Sequence, residues 1–158
     1  KKVQDLNIVS LNINDLTELI LKRLRPIARK KDVEVVFESV RPVVAEVDEV
    51  KMTLIMTNLV ENAIKYNKDN GSIEISVRGG ETPVLVVKDT GIGVSEENKE
   101  KIFDRFFTVD KSHGGKHGGF GLGLATVKKI CARAGWKLNV ESELGVGTEF
   151  TIAFIRRE

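Results

Sequence analysis

Residues 58–66 predict a helix with an unusual polar face. Positions 58, 62, 65 and 66 lie on one side at helical spacing, which brings two amides, an ammonium and a phenol together. Apolar surface around that face is supplied by Leu59, Val60, Ala63 and Ile64. A solvated face normally carries Glu and Lys, because two Asn one turn apart lower the helix propensity. The segment therefore predicts a helix that packs into a core and offers its polar face to a ligand.

The composition is that of a folded domain. A length of 158 residues suits one domain, and 41% hydrophobic with 30% charged residues argues against general disorder. The net charge of +2, without a basic cluster interleaved with aromatics, argues against nucleic-acid binding. No apolar run approaches the roughly 18 residues that cross a bilayer. Cys131 falls in an apolar helical pattern, which predicts buried packing in a reducing compartment.

Hydrophobic periodicity predicts a two-layer α/β sandwich, in which three main helices cover one face of a mixed, mainly antiparallel sheet of about five strands. Helical patterns cover four segments, one more than the three main helices of the expected fold, and these are residues 14–27, 48–67, 95–107 and 122–134. Strand patterns cover residues 33–38, 72–77, 84–88, 136–142 and 148–155. Residues 1–13 are predicted to be the tail of a preceding helix or a linker, and residues 14–158 the domain itself.

The same pattern predicts caps and inward faces for the helices. Asn14 or Asp15 is expected to cap the first helix, and Pro26 to kink or weaken its end. Ser95 is expected to cap the helix over residues 95–107. The residues expected to face the core are Leu16, Leu19, Ile20, Leu24 and Ile27 in the first helix and Val50, Leu54, Ile55, Leu59 and Ala63 in the second.

Two glycine-punctuated segments indicate a phosphate-bearing ligand. Asp89 ends an aliphatic strand and precedes Gly91 and Gly93, so its carboxylate can accept from an exocyclic amine while the glycines admit a flat ring. An ordinary strand-end turn explains this segment equally well. Residues 119–124 begin a predicted helix, and the N–H groups at its N-terminus can bind an anion. The alternative interpretation of this glycine-rich segment is a flexible hinge. The glycine spacing matches neither the dinucleotide fingerprint nor the phosphate loop.

Five segments in order resemble the motifs of a known family, and they are residues 58–66, 89–93, 103–107, 119–124 and 145–150. They are similar to those of the catalytic, ATP-binding domain of sensor histidine kinases. The superfamily also includes type II topoisomerases, heat-shock chaperones and mismatch-repair proteins. The resemblance implies a Bergerat-type ATP-binding fold, protein-histidine kinase activity, and ATP with Mg²⁺ as cofactors.

The resemblance also implies a role for each matched residue. Asp89 would bind the adenine amino group, and Asn62 would hold Mg²⁺. Asn58 would lie beside the phosphates, and Lys65 and Tyr66 would contact phosphate and ribose. Further nucleotide-binding residues would be Gly91, Ile92, Gly93 and Thr148 around the base, and Phe107, Lys111, Gly119, Phe120, Gly121, Leu122, Gly123 and Leu124 at the lid and the phosphates.

The chain departs from the family pattern in three places. It has no phosphoacceptor segment, because His113 and His117 lie in the predicted lid over residues 108–120. Asn58 stands where hydrolytic relatives carry Glu, so slow intrinsic ATP hydrolysis is expected. Thr108 stands where many relatives carry Arg. The candidates for the missing charge are Arg105, Lys111 and Lys116, and the predicted catalytic residues are Asn58, Lys65 and Arg105.

The expected partners are a response regulator and the protein's own dimerisation domain, which carries the acceptor histidine. The isolated chain is predicted to be monomeric, and its parent a homodimer that holds this domain in the cytoplasm, with or without a membrane anchor. Two other functions fit the same residues: a nucleotide-gated binding module without chemistry, and an anti-sigma-type serine kinase on the same fold. Asn58 argues against a chaperone or topoisomerase fragment.

Overall fold

The computed structural model describes residues 7–39, 42–104 and 123–155. In these ranges the elements follow the order β1 (Ile8–Asn12), α1 (Ile13–Lys30), β2 (Glu34–Glu38), β3 (Val44–Asp48), α2 (Glu49–Lys65), β4 (Ser72–Arg78), β5 (Val84–Asp89), α3 (Gly123–Ala134), β6 (Lys137–Glu143) and β7 (Gly147–Ala153). Two short 3₁₀ turns, Glu96–Asn98 and Lys101–Phe103, lie between β5 and α3.

Five strands form one sheet in the order β2-β4-β5-β7-β6. β2 and β4 are parallel, whereas the other three pairs are antiparallel. Helix α2 contacts α1, α3 and β5, and its Ile55 is fully buried together with Ile73 and Leu85 of the sheet. These contacts confirm the predicted α+β sandwich with a mixed, mainly antiparallel sheet and three helices.

Buried residues alternate with more exposed ones along the central strands. In β4, Ile73 and Ile75 are buried while Glu74 between them is exposed. β5 buries Leu85 and Val87 in the same way. Because side chains two residues apart share a face of a strand, Asp89 projects from β5 on the side of Leu85 and Val87, into the layer of the helices. The sheet therefore aims one carboxylate at the core side of the molecule.

The start of the first helix and the buried faces of the first two helices differ from the prediction. Asn12, rather than Asn14 or Asp15, caps α1, and its Oδ1 accepts a hydrogen bond from Asp15 N at 3.1 Å. The helix runs past Pro26 to its end at Lys30. Four residues expected in the core are exposed instead, namely Leu19, Ile27, Val50 and Leu54. The helices bury Leu21, Ala28, Met52 and Met56 in their place, because each helix has two overlapping apolar stripes and its packing partners decide which one is covered.

The helix predicted over residues 95–107 is wrong for its described part, which ends at Asp104. This part forms only the two 3₁₀ turns, and Ser95 makes no side-chain capping bond. Ile102 is the buried residue of the two turns in the described part. One buried apolar residue is enough to hold a short turn against the core, whereas a stable helix needs an apolar stripe over several turns. Residues 105–107 lie outside the described ranges.

A second, two-stranded sheet goes beyond the prediction. Residues 8–12, predicted to belong to a helical tail or a linker, form β1. They pair antiparallel with β3 from Ile8 opposite Asp48 to Asn12 opposite Val44. Both strands have only five residues. Short strands whose partner is distant in sequence carry little periodic signal, so sequence patterns alone miss them. Residues 1–6 of the predicted tail lie outside the described ranges.

Asp48 joins this small sheet to α2. Its Oδ1 accepts a hydrogen bond from Lys51 N at 3.0 Å and so caps the helix, while its Oδ2 accepts from Asn7 N at 2.7 Å. Burial alone would raise the pKa of the Asp48 carboxyl, but hydrogen bonds from the backbone of Asn7, Lys51 and Val50 hold it below its usual value. The ionised carboxylate thus ties the N-terminal strand to the helix that carries the polar face.

We predict that Asp48→Ala lowers the free energy of unfolding by about 1–3 kcal/mol, because it removes a helix cap and a second backbone hydrogen bond. Glu49→Ala is the matched control, since Glu49 is an exposed acidic residue of the same first turn. Urea denaturation at neutral pH measures both variants. Equal losses in the two variants would show that Asp48 acts only through the charge at the helix end.

Candidate functional site

The polar face of α2 lies at the C-terminal end of the helix. Asn58 and Asn62 are half-buried, and Tyr66, the C-cap residue, is 6% exposed. Lys65 Nζ lies 5.5 Å from the centroid of the Tyr66 ring. Burial raises the pKa of Tyr66 to about 12, so the phenol keeps its proton at neutral pH and stays a hydrogen-bond donor.

Lys31 at the end of α1 fixes the last turn of α2. Its Nζ donates hydrogen bonds to the carbonyl oxygens of Ile64 at 3.1 Å and Lys65 at 2.7 Å. Burial lowers the pKa of Lys31, and the charge of Asp69 opposes this shift. A cation at the last carbonyls stabilises a helix C-terminus. Lys31 therefore stabilises the turn that carries Lys65 and Tyr66.

The two carboxylate oxygens of Asp89 differ in their hydrogen bonds. Oδ1 accepts hydrogen bonds from Gly91 N at 2.8 Å and from Thr148 N at 3.2 Å. No residue in the described ranges donates to Oδ2. Burial raises the pKa of the Asp89 carboxyl to about 6, although the two N–H groups lower it. At neutral pH this residue is a fixed carboxylate with a free acceptor.

The loop after β5 lies directly against two other backbones. A Cβ on Gly91 would clash with the carbonyl oxygen of Tyr66, and a Cβ on Gly93, at φ +71°, with that of Glu143. Ile92 N donates a hydrogen bond to Tyr66 O at 3.0 Å. Ile92 O accepts one at 2.7 Å from Gly145 N, in the turn after β6. The two glycines thus let the loop join the end of α2 to the β6–β7 turn.

Ser142 on β6 is a residue that the sequence patterns do not single out. Its Oγ accepts a hydrogen bond from Val94 N at 2.7 Å and donates to Gly147 O at 3.0 Å. The same Oγ lies 2.8 Å from Thr148 Oγ1. A polar residue at a half-buried strand position is the only signal in the sequence. Ser142 thus connects the glycine loop to the strand that carries Thr148.

These segments enclose a pocket between α2 and the sheet. Its lining is Asn62, Tyr66, Asp89, Ile92, Gly93, Val94, Ile102, Thr148 and Phe150. Six of these residues are predicted site residues from three separate stretches of sequence. The apolar members Val94, Ile102 and Phe150 are not predicted, because aliphatic and aromatic residues at buried positions look like ordinary core.

Asn62 contributes a polar atom that folding alone leaves unpaired. Its Nδ2 is buried and has no hydrogen-bond partner among the described residues. Such a group costs about 1–3 kcal/mol. Asn58 lies near the start of α3, since its Oδ1 is 3.2 Å from the position of a Cβ on Gly123. Asn62 thus belongs to the pocket lining, whereas Asn58 lies beside the start of α3.

The remaining predicted residues divide into two groups. Arg105, Phe107, Lys111, Gly119, Phe120, Gly121 and Leu122 lie outside the described ranges. Gly123 and Leu124 begin α3, where the Leu124 side chain is fully buried and packs in the core. Cys131 of the same helix is also buried, which raises the pKa of its thiol to about 12 and fits the predicted packing role.

Two further features concern the described part of the chain. No group of three or more His, Cys, Asp or Glu side chains there could hold a metal ion. A cation at this site would therefore rely on amide oxygens and on oxygens of its ligand. Among the same residues, no helix combines the length and the apolar character that crossing a membrane requires.

Residues 47–158 match the family described as histidine kinase-, DNA gyrase B-, and HSP90-like ATPase. The chain therefore belongs to this family of ATP-binding domains. It is 40% identical over 119 residues to sensor protein RprX of Bacteroides fragilis, which covers 73% of the chain and 23% of RprX. It is 37% identical over 121 residues to sensor histidine kinase WalK of Bacillus subtilis, which covers 75% of the chain and 20% of WalK.

Solved structures agree with these relatives. The catalytic domain of histidine kinase ThkA superposes with a TM-score of 0.80 at 29% identity, covering 93% of this chain and 96% of that domain. Full-length ShkA in complex with AMPPNP gives a TM-score of 0.81 at 28% identity, covering 94% of this chain and 31% of ShkA. The chain thus corresponds to the ATP-binding catalytic domain of sensor histidine kinases, and it spans about a fifth to a quarter of RprX and WalK.

We predict that Gly93→Ala destabilises the domain by more than about 2 kcal/mol, because the new Cβ meets the backbone of Glu143 at a positive φ. Gly145→Ala is the matched control, since Gly145 also has a positive φ but no atom within 4 Å of the place where a methyl group would lie. The control should lose only about 1 kcal/mol from backbone strain. Thermal unfolding of both variants separates the clash from the strain, and equal losses would contradict the close contact.

We predict that Asp89→Asn stabilises the fold at about pH 8, because the native state no longer buries a charge. The raised pKa means that the native state binds more protons than the unfolded state between pH 3.8 and about 6, so the wild-type free energy of unfolding falls as the pH rises through that window. The loss is at most about 3 kcal/mol. Denaturation at about pH 8 and about pH 4 checks this, and a gain of equal size at both values would contradict the raised pKa.

Proposed function

We propose that this chain binds Mg·ATP and donates the γ-phosphoryl group to a histidine on a separate domain. The observation that supports this best is the Asp89 carboxylate, which lines the pocket and whose Oδ1 is held by two backbone N–H groups, while Oδ2 accepts from no described residue. An adenine ring offers an exocyclic amino donor at one edge. Asp89 would accept that donor, while Ile92 and Gly93 would border the ring.

The amides of α2 would serve the phosphate end of the nucleotide. Asn62 would meet a hydrated Mg²⁺ through its amide oxygen, since one oxygen ligand suffices for a cation that keeps water and phosphate oxygens. Its buried Nδ2, which has no partner among the described residues, would donate to a ligand oxygen. Bound Mg²⁺ would neutralise charge on the phosphates. Asn58, close to the start of α3, and Lys65 would contact the phosphates. Arg105 and Lys111 remain the predicted sources of further positive charge.

The acceptor histidine would come from outside this domain. The chain has two histidines, His113 and His117, and neither belongs to a phosphoacceptor segment. Asn58 cannot activate water as a base, so the γ-phosphoryl group would persist until an acceptor docks. The acceptor would be the dimerisation domain of a homodimeric parent. A response regulator would receive the phosphoryl group next, which agrees with the structure of ThkA in complex with response regulator TrrA.

Titration with a non-hydrolysable Mg·ATP analogue tests the binding half of the proposal. We expect binding at about pH 8 that is lost in Asp89→Asn, because the amide presents an N–H group where adenine presents its own. Binding should also weaken below about pH 6, where the Asp89 carboxyl takes up a proton. Asp69→Asn, at an exposed carboxylate, is the matched control and should bind normally. Equal binding by the Asp89 and Asp69 variants would contradict the adenine pocket.

Incubation with γ-labelled ATP and a histidine-containing dimerisation domain tests the transfer half. We expect acid-labile label on the acceptor domain, slow release of phosphate without it, and loss of transfer in Asn62→Ala. Acid-stable label on serine would indicate the anti-sigma-type kinase instead. Binding of nucleotide without transfer to any acceptor domain would indicate a nucleotide-gated module.

A further inference from the structure

Three polar residues form one row across the sheet at the floor of the pocket. Asp89 on β5 lies directly opposite Thr148 on β7, and Thr148 lies directly opposite Ser142 on β6. Side chains at directly opposite positions of antiparallel strands share a face and lie close together. Asp89 and Thr148 line the pocket, whereas Ser142 stands behind Thr148. Ser142 can therefore act on a ligand only through its neighbour.

The hydrogen bonds of Ser142 fix the direction of the Thr148 hydroxyl. A serine hydroxyl has one proton to donate and lone pairs to accept with. The proton goes to Gly147 O at 3.0 Å, because two oxygen lone pairs would otherwise face each other there. Ser142 Oγ also accepts from Val94 N at 2.7 Å. In the contact of 2.8 Å between the hydroxyls, Thr148 must then be the donor.

This assignment determines what Thr148 offers to the pocket. Its proton points to Ser142, so Thr148 Oγ1 has only lone pairs left for a ligand or a bridging water. Asp89 Oδ2 beside it is an acceptor as well. The floor of the pocket thus presents two acceptors in a row. Such a floor suits an amino group on the base and leaves a carbonyl oxygen at the same position without a donor.

We propose that Ser142 is a positioning residue that sets base specificity, because it turns the Thr148 hydroxyl proton away from the pocket. The inference rests on the proposed function, since it concerns which base the nucleotide site accepts. In Ser142→Ala the Thr148 hydroxyl is released and can rotate to donate. A base with a carbonyl in place of the exocyclic amine then gains a partner that the wild-type pocket withholds.

The test measures the dissociation constants of ATP and ITP, whose base carries a carbonyl oxygen in place of the exocyclic amine of adenine. The wild-type chain is measured at about pH 8, where Asp89 is ionised. We expect the wild type to prefer ATP and Ser142→Ala to reduce the ITP-to-ATP ratio of dissociation constants by about fivefold. Ser142→Thr keeps the hydroxyl and should restore the wild-type ratio. Ser76→Ala is the matched control, since Ser76 is a half-buried serine on the other face of the same sheet.

The ratio separates positioning from a loss of stability, because a merely destabilised pocket weakens both nucleotides equally. An unchanged ratio in Ser142→Ala, with tight ATP binding by the wild type, would overturn the inference and leave the proposed function intact. Failure of the wild type to bind ATP would overturn both. Should Ser142→Ala not fold, Thr148→Val provides the second variant. It removes the directed acceptor and should also lower the ratio, and an unchanged ratio there would overturn the inference too.

Discussion

Asp89 Oδ1 accepts two backbone hydrogen bonds, from Gly91 N and Thr148 N, and these bonds join the glycine loop, β5 and β7 at one atom. They hold a carboxylate in an interior where burial raises its pKa to about 6. Without them the side chain would have no fixed direction. The rest of the site is arranged around this oxygen, because the loop and the last strand are both anchored to the same group.

The helix α2 supports the fold and the site with opposite faces. Its apolar face, with Met52, Ile55 and Leu59 fully or nearly fully buried, forms the middle of the core, and its polar face ends in the pocket. Because Asp48 caps its start and Lys31 its end, both termini are fixed independently of any ligand. The pKa of Asp89 is raised, and the Asn62 amide nitrogen on this helix has no hydrogen-bond partner among the described residues. Both features lower stability in the free protein, and the proposed nucleotide site would account for both.

Close backbone contacts hold together the segments that surround the pocket. Gly91 and Gly93 are required because neighbouring carbonyl groups occupy the space of a Cβ, and Gly147 approaches the carbonyl group of Asp89 in the same way. Ser142 joins two of these segments as well, because its Oγ accepts a hydrogen bond from Val94 N and donates one to Gly147 O.

The sequence by itself determined the five main strands, the three helices and the positions of the polar residues at helical spacing on residues 58–66, because these depend on local periodicity and on residue type. It placed Asp89 at a strand end next to the glycines for the same reason. Only the tertiary structure decided that Leu21 rather than Leu19 is buried, that residues 8–12 pair with β3, and that Ser95 starts 3₁₀ turns. It alone brought Ser142 behind Thr148, since such contacts depend on which elements pack together and leave no periodic trace in the chain.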